Sequence, residues 1–179
     1  YARETCTDQG HGLEPNLSAK GDRYFGILNG VDYSVWNPVT DPYLPYNYTA
    51  EFPAGKVLCK QAVQRTFGLR QDDNVALLGT VGRLADQKGL NLLADALEGL
   101  LNTMHVQVVL LGSGDKHLEH RFGELSHRYQ GRFGTYFGFS EQLAHLIEAG
   151  SDFFLMPSLF EPCGLNQLYS LRYGTLPIV

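Results

Sequence analysis

No stretch of this chain stays apolar for the roughly 18 residues that mark a membrane-spanning helix. No charged-then-apolar leader opens it either. Cysteine is scarce: Cys6, Cys59 and Cys163 are odd in number and far apart. That pattern fits neither a disulfide framework nor a zinc site, and it reads as a chain kept in a reducing compartment. Basic charge is also short, with 14 Lys and Arg against 19 Asp and Glu and a net charge of −5. Binding to a nucleic-acid backbone needs clustered cations that release counterions, so this balance argues against a nucleic-acid partner. Charged residues reach only 18% while hydrophobic ones reach 44%. The first figure is too low for a disordered chain, and the second is enough for one buried core within 179 residues.

Residues 1–20 are polar and rich in glycine. The run 24–28 reads as a short strand that ends at the Asn29-Gly30 turn. Residues 32–54 carry Pro38, Pro42, Pro45 and Pro53, which argue against both a helix and a central strand. They read as an extended connection between domains. From Gly55 the texture changes. Apolar runs at 75–81, 105–111, 133–137, 152–156 and 176–179 predict strands. Helical spacing predicts helices over 56–67, 88–101, 116–129, 140–149 and 164–173. Strand and helix alternate, which predicts an α/β fold with a parallel sheet covered on both faces. The runs at 75–81, 105–111 and 152–156 are expected to be its central buried strands. The chain starts without Met and stops on an apolar run, and it reads as a piece cut at both ends.

In such sheets ligands bind beyond the carboxyl ends of the strands. Three loops are therefore the candidates. The first, 82–88, holds Arg83 and Lys88 ahead of a helix. A planar fork and a point charge together suit a diphosphate, and a helix N-terminus adds positive potential. Two surface cations beside Asp86 is the plainer alternative. The second, Gly112-Ser113-Gly114-Asp115, lacks the third glycine of a dinucleotide fingerprint. It reads equally well as a tight turn with Asp115 as a cap. The third, 157–164, puts Glu161 between a buried strand and a helix, with Pro162 fixing the chain and Gly164 allowing close approach. A carboxylate there can accept from sugar hydroxyls. It could equally be an acidic residue favoured near a helix N-terminus. Cys163 has no evident His and acid set to activate it, so a packed thiol is the simpler reading. His117, His120 and His127 fall on one predicted helix; His120 and His127, seven residues apart, can share a face, but no third ligand joins that pair, and a solvated helix face is a simpler reading than a metal site.

The run Leu155-Met156-Pro157-Ser158-Leu159-Phe160-Glu161-Pro162-Cys163-Gly164-Leu165-Asn166-Gln167-Leu168-Tyr169, followed by Arg172-Tyr173-Gly174-Thr175, resembles the signature of bacterial glycogen synthases and plant starch synthases. Three other stretches match the same family in order. They are Leu28-Asn29-Gly30-Val31-Asp32 with Trp36-Asn37-Pro38, then Gly82-Arg83-Leu84 with Gln87-Lys88-Gly89, then Ala144-His145 with Ala149-Gly150. The resemblance spans essentially the whole chain.

The resemblance implies a GT-B glycosyltransferase, with two Rossmann-like domains facing across a cleft. It implies transfer of glucose, with retention, from ADP-glucose or UDP-glucose to the non-reducing end of an α-1,4-glucan. No metal or other cofactor is implied, and basic residues hold the diphosphate. Arg83 and Lys88 match the diphosphate pair. Glu161, Cys163, Gly164 and Leu165 match the segment that holds glucose and phosphates. Phe139 falls where an aromatic meets the nucleotide base, and Asn29 falls at the interdomain crossing. Residues 1–34 would then be the tail of the first domain, 35–54 the connection, and 55–179 a truncated nucleotide-sugar domain. The family's Lys-x-Gly-Gly segment and a Thr-Gly-Gly-Leu loop expected after Val179 lie outside the chain, so the chain alone is expected to be inactive. The bacterial cytoplasm or the plastid stroma is the implied location. Leu159 departs from the pattern, standing where the family has a basic residue. Two alternatives are kept: a related enzyme with another acceptor, such as sucrose or a lipid-linked sugar, and a non-catalytic nucleotide-sugar or glucan-binding module.

Overall fold

The computed structural model describes residues 2–179. Five strands form one parallel sheet: β1 (Ala76–Val81), β2 (Val106–Gly112), β3 (Phe133–Phe137), β4 (Phe153–Leu155) and β5 (Leu176–Ile178). Their order is β3-β2-β1-β4-β5. The three strands expected to be central therefore are. β1 and β2 run in unbroken register from Ala76–Val106 to Val81–Leu111. A short helix α1 (Glu14–Ser18) precedes α2 (Ala54–Thr66), α3 (Leu90–Thr103), α4 (Lys116–Arg128), α5 (Glu141–Gly150) and α6 (Leu165–Arg172).

Alternation along the strands builds two cores, because successive side chains leave opposite faces of a sheet. Leu78, Val108 and Leu110 face one way and pack with Leu93, Leu97 and Leu101 of α3 and Leu118, Phe122 and Leu125 of α4. Leu77, Val109 and Leu111 face the other way and pack with Cys59 and Val63 of α2, Leu146 and Ile147 of α5, and Tyr173 just after α6. The proline-bearing segment before α2 joins this second core through Leu44 and Tyr48, with Trp36 packed against it. The Tyr48 hydroxyl donates to the carbonyls of Ala149 (3.2 Å) and Tyr173 (2.8 Å), so this stretch is fastened to the domain.

Two expectations need correction. Residues 24–28 form no strand; Phe25, Ile27 and Leu28 are exposed, and no neighbouring strand within the described residues offers a ladder to pair with. The helix expected from Lys88 starts two residues later. Asp86–Lys88 is a single 3-10 turn, and Gly89 then turns left-handed (φ +64°) before α3 begins. A Cβ on Gly89 would sit 1.7 Å from the Pro157 carbonyl oxygen, so close packing of two loops dictates both the glycine and the break.

Candidate functional site

The chain leaves β1 for β2 and β3 on one side, then returns to place β4 on the other side of β1. Strand order reverses between β1 and β4, and connections that diverge there open a crevice beyond the carboxyl ends of the strands. The loops flanking that crevice are 82–88 after β1 and 157–164 after β4. A cavity of about 370 Å³ lies there, with Asn29, Gly82, Arg83, Lys88, Ser158, Glu161, Cys163, Gly164, Leu165 and Asn166 in its wall. A second cavity of about 350 Å³ adjoins it, sharing Gly82, Arg83, Lys88 and Asn166 and adding Ser113 and Phe139. Every residue expected to bind or react therefore lines one cavity or the other.

Lys88 and Glu161 form an ion pair across the two loops. Ser158 Oγ also donates to Glu161 Oε1, at 3.0 Å. The pair is half-open, with 28% of the Lys88 side chain and 18% of the Glu161 side chain accessible. Arg83 is exposed and makes no hydrogen bond or ion pair among the described residues. The plainer alternative of two cations beside Asp86 does not describe Lys88, since Asp86 instead accepts from Asn91 Nδ2.

Gly164 sits left-handed (φ +69°) at the start of α6, and no side chain caps that helix. A Cβ there would approach Gln167 Nε2 to 2.7 Å. The sharp turn leaves uncapped backbone N–H groups and the positive end of α6 beside Lys88 and Arg83, an arrangement suited to an anion. Cys163 is a free thiol whose carbonyl accepts from Gln167 Nε2 at 3.0 Å. Phe139 is 90% exposed at the mouth of the second cavity.

The Gly112-to-Asp115 loop resolves toward the cap. Asp115 Oδ1 accepts from the His117 and Leu118 N–H groups at 2.7 and 3.3 Å. Leu84 bridges to Gly114, and the Leu84 N–H donates to the Ser113 carbonyl at 3.0 Å. This loop braces the 82–88 loop. Among the described residues no three His, Cys, Asp or Glu side chains gather as metal ligands, and His120 only approaches Glu124 at 3.5 Å on an exposed helix face. No helix among them is long and apolar enough to cross a membrane.

Two contributors escaped the sequence reading. Gln87 clamps the crevice: its Nε2 donates to the Phe160 carbonyl (3.1 Å) and its carbonyl accepts from the Leu159 N–H (3.0 Å). Leu159, exposed in place of a basic residue, is held by this backbone bond. Asn166 faces both cavities, and its Nδ2 donates to the Val81 carbonyl at 2.8 Å. Both sit within motifs that the sequence displays, but a side-chain amide has no charge pattern to mark it.

The family model described as glycosyl transferases group 1 matches residues 64–179. Glycogen synthase 1 of Geobacter sulfurreducens is 54% identical over the whole of this chain, which spans 36% of that relative. Glycogen synthase of Thioalkalivibrio sulfidiphilus is 50% identical, with 37% of its length spanned. The chain thus covers little more than a third of the curated relatives it matches. Among solved structures, the catalytic domain of starch synthase IV from Arabidopsis thaliana, bound to ADP and acarbose, superposes with a TM-score of 0.93. It is 37% identical, over 99% of this chain and 37% of that one. The C-terminal domain of a glycosyl transferase group 1 protein from Francisella tularensis, 16% identical, shares the fold (TM-score 0.54, 83% of this chain and 69% of that one).

Proposed function

Because the chain belongs to the glycosyl transferases group 1 family, we propose that it is the donor-binding part of a glucan synthase. The whole protein transfers glucose from ADP-glucose to the non-reducing end of an α-1,4-glucan with retention of configuration. The observation that carries this reading is the Lys88–Glu161 pair, set in the switch-point crevice that it shares with Arg83, which has no ion pair among the described residues, and with the uncapped start of α6. Cations and a helix N-terminus around one cavity match a diphosphate. A carboxylate at its wall matches sugar hydroxyls.

In this assignment Arg83, Lys88 and the N–H groups around Gly164 and Leu165 take the diphosphate. They balance the charge that grows on it as the sugar departs. Glu161, freed when the diphosphate takes over Lys88, accepts from the glucose hydroxyls. Phe139 packs on the base, and Cys163 shapes the turn. Asn29 approaches the sugar from the chain's other side. Residues 1–34 close the first of two Rossmann-like domains, 35–54 cross between them, and 55–179 form the nucleotide-sugar half. The likeness to proteins named glycogen synthase and starch synthase supports the glucan acceptor, and ADP in the starch synthase IV structure supports the donor base.

The test is incorporation of labelled glucose into glycogen by the intact enzyme. ADP-glucose and UDP-glucose are compared, and NMR follows the anomeric configuration of the new linkage. Efficient α-1,4 transfer from ADP-glucose is expected. Transfer only to sucrose or a lipid-linked sugar, or donor binding without transfer, would replace this reading with one of its alternatives.

A further inference from the structure

Tyr169, Arg172 and Tyr173 stand at i, i+3 and i+4, one face of α6 and its end. That face grips the segment that follows Asn29. The Trp36 ring lies flat between Tyr169 (centroids 4.0 Å apart, planes 5° apart) and His145 of α5 (3.8 Å, 11°). Tyr173 meets the Trp36 ring edge-on at 6.3 Å. The Arg172 guanidinium stacks on Tyr33 at 4.4 Å and donates to Asn37 Oδ1 at 2.8 Å. Between these two grips the chain closes on Asp32. The Asp32 carboxylate accepts from the Ser34 N–H, and its carbonyl accepts from the Val35 and Trp36 N–H groups.

The other end of α6 starts at the cavity, where Asn166 ties it to β1. Asn29, three residues ahead of the Asp32 turn, lines that same cavity. One short helix therefore holds the cavity wall with its first turn and the carrier of Asn29 with its last. A planar ring stacked on both faces resists sliding and tilting in a way that aliphatic packing does not.

We infer that Trp36 is a positioning residue for sugar transfer: clamped between Tyr169 and His145, it fixes where Asn29 meets the donor cavity and acts on turnover through Asn29. This rests on the donor-site reading above. A small displacement of a group that orients a reacting sugar costs far more turnover than binding, because geometry and not contact area is lost.

The test is a double-mutant cycle in the intact enzyme with Trp36→Leu, Asn29→Ala and both together. Affinity for ADP is measured alongside, since ADP lacks the sugar that Asn29 meets. Trp36→Leu is expected to lower kcat/KM at least about 10-fold, leave ADP affinity within about twofold, and add little to the loss in an Asn29→Ala background. Trp36→Phe, which keeps a stacking ring, should recover most of the activity. If Trp36→Leu does not fold, Tyr169→Leu, which removes one face of the clamp, runs through the same cycle with the same expected loss. Losses that add fully across the two sites would overturn the inference while leaving the donor site in place. So would ADP affinity falling in step with turnover. A fully active Asn29→Ala would remove both this inference and the role of Asn29 in the site.

Discussion

At the crevice, Lys88 and Glu161 meet with part of each side chain still open to solvent, and exposed Arg83 lines it with no ion pair among the described residues. Behind α5, Asp41 and His145 meet with no side-chain surface open at all. Asp41 Oδ2 takes His145 Nδ1 at 2.7 Å and the Tyr173 hydroxyl at 2.5 Å. Burial alone would raise the Asp41 carboxyl, but hydrogen bonds from His145 and Tyr173 outweigh it and hold the group below the usual carboxylate range. The two pairs look alike in chemistry and differ in what they can do. A half-open ion pair adds little to folding and can be exchanged for a ligand's charge. A fully buried carboxylate–imidazole contact has no ligand to exchange with, and breaking it strands hydrogen-bonding groups away from water.

The largest effect should come from breaking the buried pair. Asp41→Ala leaves His145 Nδ1 and the Tyr173 hydroxyl facing a void, in a cluster where His145 Nε2 has no partner among the described residues. A loss of about 2–6 kcal/mol is expected in urea unfolding, with a correspondingly lower Tm, because two buried groups each forfeit about 1–3 kcal/mol with their acceptor gone. An unchanged midpoint would erase the distinction drawn between the two pairs.

Lys88→Ala probes the other side of the comparison. Transition-state charge stabilisation by one such donor is worth about 10²–10³ in rate, so kcat/KM of the intact enzyme for the sugar nucleotide should fall at least about 100-fold. Stability should change by less than about 1 kcal/mol, because the pair it leaves is half-open. Large destabilisation with normal kinetics per folded molecule would make Lys88 a structural cation.

Glu148 sharpens the contrast through pH. Its side chain is buried on α5, and Ser170 Oγ lies 2.7 Å both from Glu148 Oε2 and from the Asn166 carbonyl. A hydroxyl carries one hydrogen, which a carbonyl can only accept. A protonated Glu148 satisfies both contacts by donating to Oγ while Oγ donates to Asn166. Burial accordingly pushes the Glu148 carboxyl up to about 8, against weaker lowering by Ser170 and Lys56. The folded state then holds a proton that the unfolded state has lost. Glu148 therefore stabilises most fully below the unfolded carboxylate range, and its contribution is lost as pH rises toward 8. Glu148→Gln, which keeps the donor without the titration, should gain about 2 kcal/mol relative to the parent between about pH 5.5 and pH 7. Parallel stability curves for the two proteins would show that Glu148 does not carry this proton.

The open face of the comparison was easier to read in the sequence than the closed one. Strands β1 and β2 announce themselves as apolar runs, and the crevice follows from strand order once β4 is recognised. Arg83, Lys88 and Glu161 stand out because charge at a strand-to-helix turn is conspicuous. Asp41 stands 104 positions before His145 and 132 before Tyr173, and the three meet only through folding. No spacing rule can join them, although His145 and Tyr173 both stand within the family's motifs. The 24–28 run shows the opposite failure: its apolar pattern is real, but a strand needs a neighbour, and pattern alone does not supply one.

The smallest expected effect belongs to Gln87, whose neutral amide joins the two sides of the crevice. Its Nε2 donates to the Phe160 carbonyl while its own carbonyl accepts from Leu159, and Lys88 and Glu161 are the next residue on each strand of that clamp. Gly89 already pins the first loop against Pro157. Losing the amide therefore loosens the register of Lys88 against Glu161 without opening the crevice. Gln87→Ala forfeits one neutral hydrogen bond, worth about 1 kcal/mol. If that energy is spent on holding the loops for the donor, KM for the sugar nucleotide should rise about fivefold with kcat nearly unchanged, because looseness is repaired once the diphosphate bridges both loops. Gln87→Glu, which turns an acceptor oxygen toward the Phe160 carbonyl, should raise KM further. A fall in kcat with unchanged KM would place Gln87 in the transfer step itself, and the clamp would then be more than a brace for donor binding.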